Sequence, residues 1–312
     1  MSGPARSRVV AVIVTYNRRA LLLESLAALK AQAREPDAVV VVDNASTDGS
    51  VDAVRAAHPD VRLVALDRNT GGAGGFAAGL GIALADGADL VWLMDDDTIP
   101  EPGALAALLA TRTAYPGPPP AVLASRVVWT DGRPHPMNTP RRKPLVRGAE
   151  RHRAAAVDCV PIRSASFVSV LVDADECRRH GAPVADYFLW NDDFEFITRL
   201  LRRRAGLLCP ASVVVHKTRT FGSTDADPGE RFFYEVRNKV WTLTRSRSLA
   251  PLERLLYTAS TLRRWVRTFV RSGDRATLAR ALRQGLAAGL RRGPRPNDEV
   301  LAGLGLPPAA AR

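Results

Sequence analysis

A chain of 312 residues with 46% apolar side chains has enough material for one large core, alone or with an appendage. No apolar run is long enough to span a bilayer, and residues 9–14 are too short a run for a signal peptide, so a cytoplasmic protein is expected. The net charge of +12 is carried entirely beyond residue 230, where 17 basic residues stand against 5 acidic ones, while residues 1–230 hold 27 of each sign.

Residues 8–17 form a β-branched run ending in Thr15, Tyr16 and Asn17, which reads as a buried strand. Residues 21–32 follow with Leu22, Leu26 and Leu29 at helical spacing. The unit repeats as a valine-rich strand from residue 38 that stops in an acidic turn beginning at Asp43, then a helix over 51–58. A third strand over 61–66 and a helix over 76–85 precede a fourth strand, residues 90–94, which ends abruptly in Asp95, Asp96 and Asp97. Such alternation predicts an α/β fold with a parallel sheet covered by helices on both faces, presenting Thr15, Asp43 and Asp95 at one edge.

Three adjacent carboxylates repel one another and must meet water, a cation or a cationic partner. At the carboxyl end of a strand they suit a divalent ion; the plainer reading is an acidic turn ahead of the helix near Pro102. Between the third strand and third helix, residues 68–76 are rich in glycine, which lets the backbone approach a ligand, and the following helix start favours an anion. Gly72, Gly74 and Ala77 also fit a dinucleotide pattern, but that motif should open from the first strand, so a nicotinamide enzyme is the lesser reading. Cys159, Cys177 and Cys209 have neither disulfide-framework nor zinc spacing and read as buried thiols.

Four segments in order, Val-Thr-Tyr-Asn (14–17), Val-Asp-Asn-Ala-Ser-Thr-Asp-Gly (42–49), Arg-Asn-Thr-Gly-Gly-Ala-Gly-Gly-Phe (68–76) and Asp-Asp-Asp (95–97), resemble the inverting GT-A glycosyltransferases called family 2. The resemblance implies a GT-A fold, Rossmann-like with a mostly parallel sheet, and a nucleotide-sugar donor. It implies Asp43 near the base, Thr15, Arg68, Asn69, Gly71 and Gly72 along the nucleotide, Asp95 and Asp96 at the donor, and Asp95 with Asp97 at a magnesium or manganese ion. Oxygen ligands suit either ion.

Further along, residues 115–120 and 134–153 are broken by prolines, and the second stretch reads as a mobile loop over the site or an ordinary surface excursion. A strand over 167–172 leads into a short helix closed by Gly181. Asp192 and Asp193 then follow the aromatic stretch 187–190 at a helix start, where they could simply cap that helix. The segment is similar to the W-x-D-D-x-E-F version found in bacterial galactofuranosyl- and rhamnosyltransferases. That likeness implies Asp193, or else Asp192, as the base that takes a proton from the acceptor hydroxyl, with Trp190 as a platform for a sugar face. A strand over 211–215 ends in His216; a lone histidine is usually structural, but the same relatives imply a metal ligand here, with Lys217 or Arg219 near the diphosphate.

Residues 231–239 resemble the F/Y-Y-x-x-R-N segment that follows the catalytic domain in those relatives. The expected division is a catalytic domain over 1–228 and a basic helical region over 229–312, with amphipathic helices over 252–270 and 276–290. Such helices suit an anionic membrane surface at the inner face of the plasma membrane, or docking on the catalytic domain or a second subunit; nucleic acid is disfavoured because no binding motif accompanies the charge. The function expected is transfer of galactofuranose from UDP-galactofuranose to a polyprenyl-diphosphate-linked or other cell-envelope glycan, with dTDP-rhamnose as the alternative donor. A nucleotide-binding protein without turnover is the reading of another class, and Asp192 and Asp193 speak against it.

Overall fold

The computed structural model describes residues 6–222 and 227–306. Its first half runs β1 (Val9–Thr15), α1 (Arg19–Lys30), β2 (Ala38–Asp43), α2 (Ser50–Ala57), β3 (Arg62–Ala65), α3 (Gly71–Ala85), β4 (Leu90–Asp95), β5 (Thr98–Pro100), α4 (Ala104–Ala114) and β6 (Val122–Val128). Next come β7 (Arg141–Arg142), α5 (Gly148–Ala155), β8 (Val160–Ser164), β9 (Ser169–Asp173), α6 (Ala174–His180), α7 (Asp192–Leu200) and β10 (Gly206–His216). The tail holds α8 (Phe232–Thr244), α9 (Pro251–Arg271), α10 (Arg275–Arg291) and the short α11 (Asn297–Val300).

The strands form one sheet in the order β3-β2-β1-β4-β9-β6-β10-β8-β7, with β5 pairing β10 off this path. β3, β2, β1 and β4 are mutually parallel, whereas β9 runs antiparallel between β4 and β6. This is the mostly parallel, helix-flanked architecture expected, with a helical C-terminal region. β1 is buried throughout because each face meets a different apolar cluster: Val10, Val12 and Val14 on the side of α3, and Val9, Ala11 and Ile13 on the side of α1. The register sets Thr15 beside Asp43 and Val14 beside Asp95, so the three polar strand ends share one rim.

Two expectations change. The glycine-rich loop is shorter than its composition suggests, because α3 already begins at Gly71 and is buried on nearly every side. A Cβ on Gly75 would lie 2.4 Å from a Val14 methyl, and one on Gly79 equally close to a Val12 methyl. These two glycines let helix and sheet touch, and they serve packing rather than a ligand. The stretch 134–153 is likewise more than an excursion, since it carries β7 and α5.

α10 lies on α8 at Gly285 and Gly289, where a Cβ would come within 2.8 Å of Val236 and Val240. α9 is tied to the sheet by Arg163 of β8, a buried guanidinium that donates to Glu253 at 2.6 Å and to the carbonyls of Thr198 and Ser248 at 2.6 and 2.7 Å. Replacing Arg163 leaves Glu253 and two carbonyls without their donor, and breaking a buried pair from one side is strongly destabilising. Arg163→Met is therefore expected to lower unfolding stability by about 3 kcal/mol in a denaturant titration; an unchanged midpoint would mean that this joint is not part of the cooperative fold.

Candidate active site

The acidic turn after β4 is met from across the chain by the end of β10. Antiparallel pairing of β5 with β10 sets His216 opposite Thr98, and the Lys217 amide donates to the Asp97 carbonyl at 2.8 Å. Ligand atoms of Asp95, Asp97 and His216 consequently lie within 4.8 Å of one another. His216 Nε2 stands 2.9 Å from Asp97 Oδ1, yet that buried oxygen receives no hydrogen bond of proper geometry.

Asn138 donates its Nδ2 to Ser166 at 3.1 Å, which orients its Oδ1 toward His216 Nδ1 at 2.8 Å. Nδ1 thus carries a proton and the ring presents Nε2 to Asp97; burial opposes a charged imidazole, but Asp97 and Asp95 outweigh it and raise the His216 pKa. Two carboxylates with one imidazole, whose Nε2 can give up its proton to a metal, fit magnesium or manganese.

The surrounding charges are held tightly. Asp96 is buried and accepts from Thr15 Oγ1 at 2.8 Å, from the Tyr16 amide at 3.4 Å and from Arg18 at 3.3 Å; Arg18 also contacts Asp97. Burial and then Asp97 raise the Asp95 carboxyl to about 7. Burial raises Asp96 to about 6 against the pull of Arg18. For Asp97 burial opposes ionisation, but His216 and Arg18 outweigh it and its pKa is lowered. Thr15 therefore acts on Asp96 rather than standing free along the rim.

Asp43 is buried at the end of β2, with Oδ1 taking the Ser46 amide at 2.8 Å and Oδ2 left without a donor. Its neighbour Asn44 accepts from Thr70 and donates to the Gly71 carbonyl, and Asn69 accepts the Gly71 amide at 2.7 Å, so the start of α3 is fixed by side chains. Gly72 faces open space. Gly71 has φ +70°, and a Cβ there would sit 2.0 Å from the Phe188 carbonyl oxygen. Arg68 is not brought to the carboxylates: it donates to the carbonyls of Val300 and Ala302 at 2.9 and 3.0 Å and lines a cleft of about 320 Å³ with Asp186, Arg237 and Arg295.

The second acidic pair is carried by a strained loop. Phe188, Trp190 and Asn191 all have positive φ, between 62° and 67°, a conformation that costs about 1–3 kcal/mol per residue unless its surroundings enforce it. α8 enforces it. Asn238 Nδ2 donates to the carbonyls of Tyr187, Leu189 and Trp190 at 2.9, 2.9 and 2.8 Å, Arg237 to those of Asp186 and Tyr187, and Glu235 accepts from Asn191 at 2.8 Å.

Trp190 is left 38% exposed beside Asp192 and Asp193 at the start of α7. Burial and then Asp193 raise Asp192 well above the usual carboxylate range, and Asp95 adds to the effect, so the two acidic groups share one field. Asp193 is raised by burial, against the opposing pull of the Phe194 amide, Lys239 and Arg141. Lys239 itself lies 4.1 Å above the Phe194 ring, lowered to about 7 by burial. Glu195, third acid of the segment, is structural, accepting from Arg199 and Ser246.

Sequence reasoning missed Arg18, Asn138, Arg141, Asn238 and Lys239. Arg18, Asn238 and Lys239 stood inside or beside quoted motifs, whereas Asn138 and Arg141 lay in the stretch 134–153, read as a loop over the site or a surface excursion with no residue singled out.

The family profile described as Glycosyl transferase family 2 matches residues 10–169. Galactofuranosyltransferase GlfT1 of Mycobacterium tuberculosis is 35% identical over 254 residues, covering 76% of this chain and 82% of that one. Among solved structures, S. aureus TarS in complex with UDP-GlcNAc superposes with a TM-score of 0.59 at 17% identity over 90% of this chain and 81% of that one. Mannosyltransferase PcManGT from Pyrobaculum calidifontis, in complex with GDP-Man and Mn2+, gives 0.53 at 21% identity over 95% and 79%.

Two substitutions probe the geometry. Asn138→Ala releases the imidazole tautomer and is expected to weaken Mn2+ binding about tenfold or more by calorimetry; an unchanged affinity would detach Asn138 from the site. Asn238→Ala strips the Leu189 and Trp190 carbonyls of their Asn238 donor and leaves Tyr187 to Arg237, and it is expected to cost about 2–3 kcal/mol of stability, read by thermal melting, with kcat falling further than donor KM rises.

Proposed function

Because the chain belongs to glycosyltransferase family 2, we propose that it transfers galactofuranose with inversion from UDP-galactofuranose to a polyprenyl-diphosphate-linked or other cell-envelope glycan, using a magnesium or manganese ion. The observation that carries this reading is the convergence of Asp95, Asp97 and His216 on one point, with Asp192 within the field of Asp95. The identity to GlfT1 supports the choice of sugar.

Asp95, Asp97 and His216 would hold the ion, whose chemistry is to neutralise the diphosphate as it leaves. The unbonded Oδ2 of Asp43 suits the imide N–H of a uracil ring. Asp193 accepts the proton of the attacking hydroxyl while the bond from sugar to diphosphate breaks on the opposite face. Lys239 and Arg141 favour its ionised form, whereas Asp192 has Asp193 and Asp95 against it, which ranks Asp193 first. Trp190 offers an exposed ring beside this base for a sugar face.

A donor screen measuring released nucleotide tests the reading. Turnover is expected with UDP-galactofuranose and a membrane lipid extract, above UDP-galactopyranose, UDP-glucose and dTDP-rhamnose; preference for dTDP-rhamnose would transfer the assignment to a rhamnosyltransferase. Asp193→Asn is expected to lower kcat about a hundredfold or more while calorimetry shows UDP with Mn2+ bound as in wild type. Full activity in that variant would remove Asp193 as the base.

A further inference from the structure

We propose that the outer face of α9 docks this enzyme on an anionic lipid bilayer, the helix lying in the headgroup plane. α9 is 21 residues long, about 31 Å, and it fully buries a single side chain, Thr261. Its inner row grips the rest of the protein: Tyr257 meets the Phe194 ring at 5.0 Å, and Trp265 and Phe269 meet Phe232 at 6.0 and 5.9 Å.

The outer row is apolar and uncovered. Leu252, Leu255, Leu256, Leu262, Val266 and Val270 are each at least half exposed, and with the exposed Ala259 between Leu256 and Leu262 they fall at three- and four-residue steps on one face, forming one stripe along the helix. Toward its end the stripe runs into an apolar groove of about 460 Å³ walled by Trp265, Phe269 and Leu282. A soluble surface rarely leaves such a patch without an occupant.

Charge selects the occupant. Arg263 is exposed beside the stripe, and the region from residue 231 onward holds the whole net charge of +12. A second copy related by a two-fold axis would bring two such basic regions together, whereas anionic headgroups complement one. Among the described residues no helix is long and apolar enough to cross a membrane, so the stripe fits an interfacial helix and not a span.

This docking gives the lipid-linked acceptor of the preceding reading, on which its purpose rests, a path to the base. Tyr257 touches Phe194, the residue after Asp193, so a bilayer against the outer row lies about one helix diameter, ~10–12 Å, from the helix carrying the base. An acceptor whose diphosphate sits at headgroup level then presents its sugar hydroxyl from that side.

Flotation of the full chain with vesicles, without donor or acceptor, separates this proposal from the assignment of the reaction. The protein is expected to float with phosphatidylcholine vesicles containing phosphatidylglycerol and to remain behind with phosphatidylcholine alone. Combining Leu255→Glu, Leu262→Glu and Val266→Glu should reduce partitioning about tenfold or more, with melting temperature and vesicle-free nucleotide release unchanged. Leu255→Ser with Leu262→Ser and Val266→Ser, which keeps the net charge, should reduce it in the same direction. Equal partitioning of wild type and both variants, no flotation with phosphatidylglycerol, or a wild-type dimer that the variants dissociate in light scattering would overturn the proposal.

Discussion

The arrangement depends on buried negative charge that the protein itself does not fully compensate. Asp95, Asp96 and Asp97 crowd the end of β4, with Asp192 close enough to feel Asp95. Against them stand Arg18 and His216, whose imidazole is held by Asn138 with Nε2 2.9 Å from Asp97. Removing so many carboxylates from water favours either their protonation or a cation that gathers them. A site built this way is poised for a partner that brings both a divalent ion and an anionic leaving group.

The loop that carries the proposed base, Asp193, is held in place with strain. Three residues at positive φ turn the chain between the aromatic stretch and α7, and they are stabilised by a single amide from α8 that serves three carbonyls. Gly71 belongs to the same device, since only a residue without a side chain can pass the Phe188 carbonyl. The start of α3 and the loop before α7 thus fix each other. α8 holds that loop, although it lies beyond the residues that the family profile matches.

Much of this was legible because it follows from local pattern. Nearly continuous apolar strands, each stopping in a polar turn, specified the parallel half of the sheet and the common rim of Thr15, Asp43 and Asp95. Resemblance pointed to Asp97 and His216, which the fold then brought together. What periodicity could not carry was long-range pairing. The three-residue β5 is too short to announce itself, yet its register with β10 is what joins residues over a hundred positions apart. Gly75 was misleading for a related reason, because a glycine needed for helix-to-sheet contact has the same letter as one needed for a phosphate. Asn138 lay in a proline-broken stretch with no pattern, and Arg68 found carbonyls near α11 that no local window includes.

The central claim is that a divalent ion sits among Asp95, Asp97 and the Nε2 of His216. Pulsed electron paramagnetic resonance of Mn2+ added with UDP reads this directly, because a directly bound imidazole nitrogen modulates the electron spin echo. The account predicts nitrogen modulation in the wild-type protein that disappears in His216→Ala. Bound Mn2+ without such modulation, or modulation that survives the substitution, would contradict it.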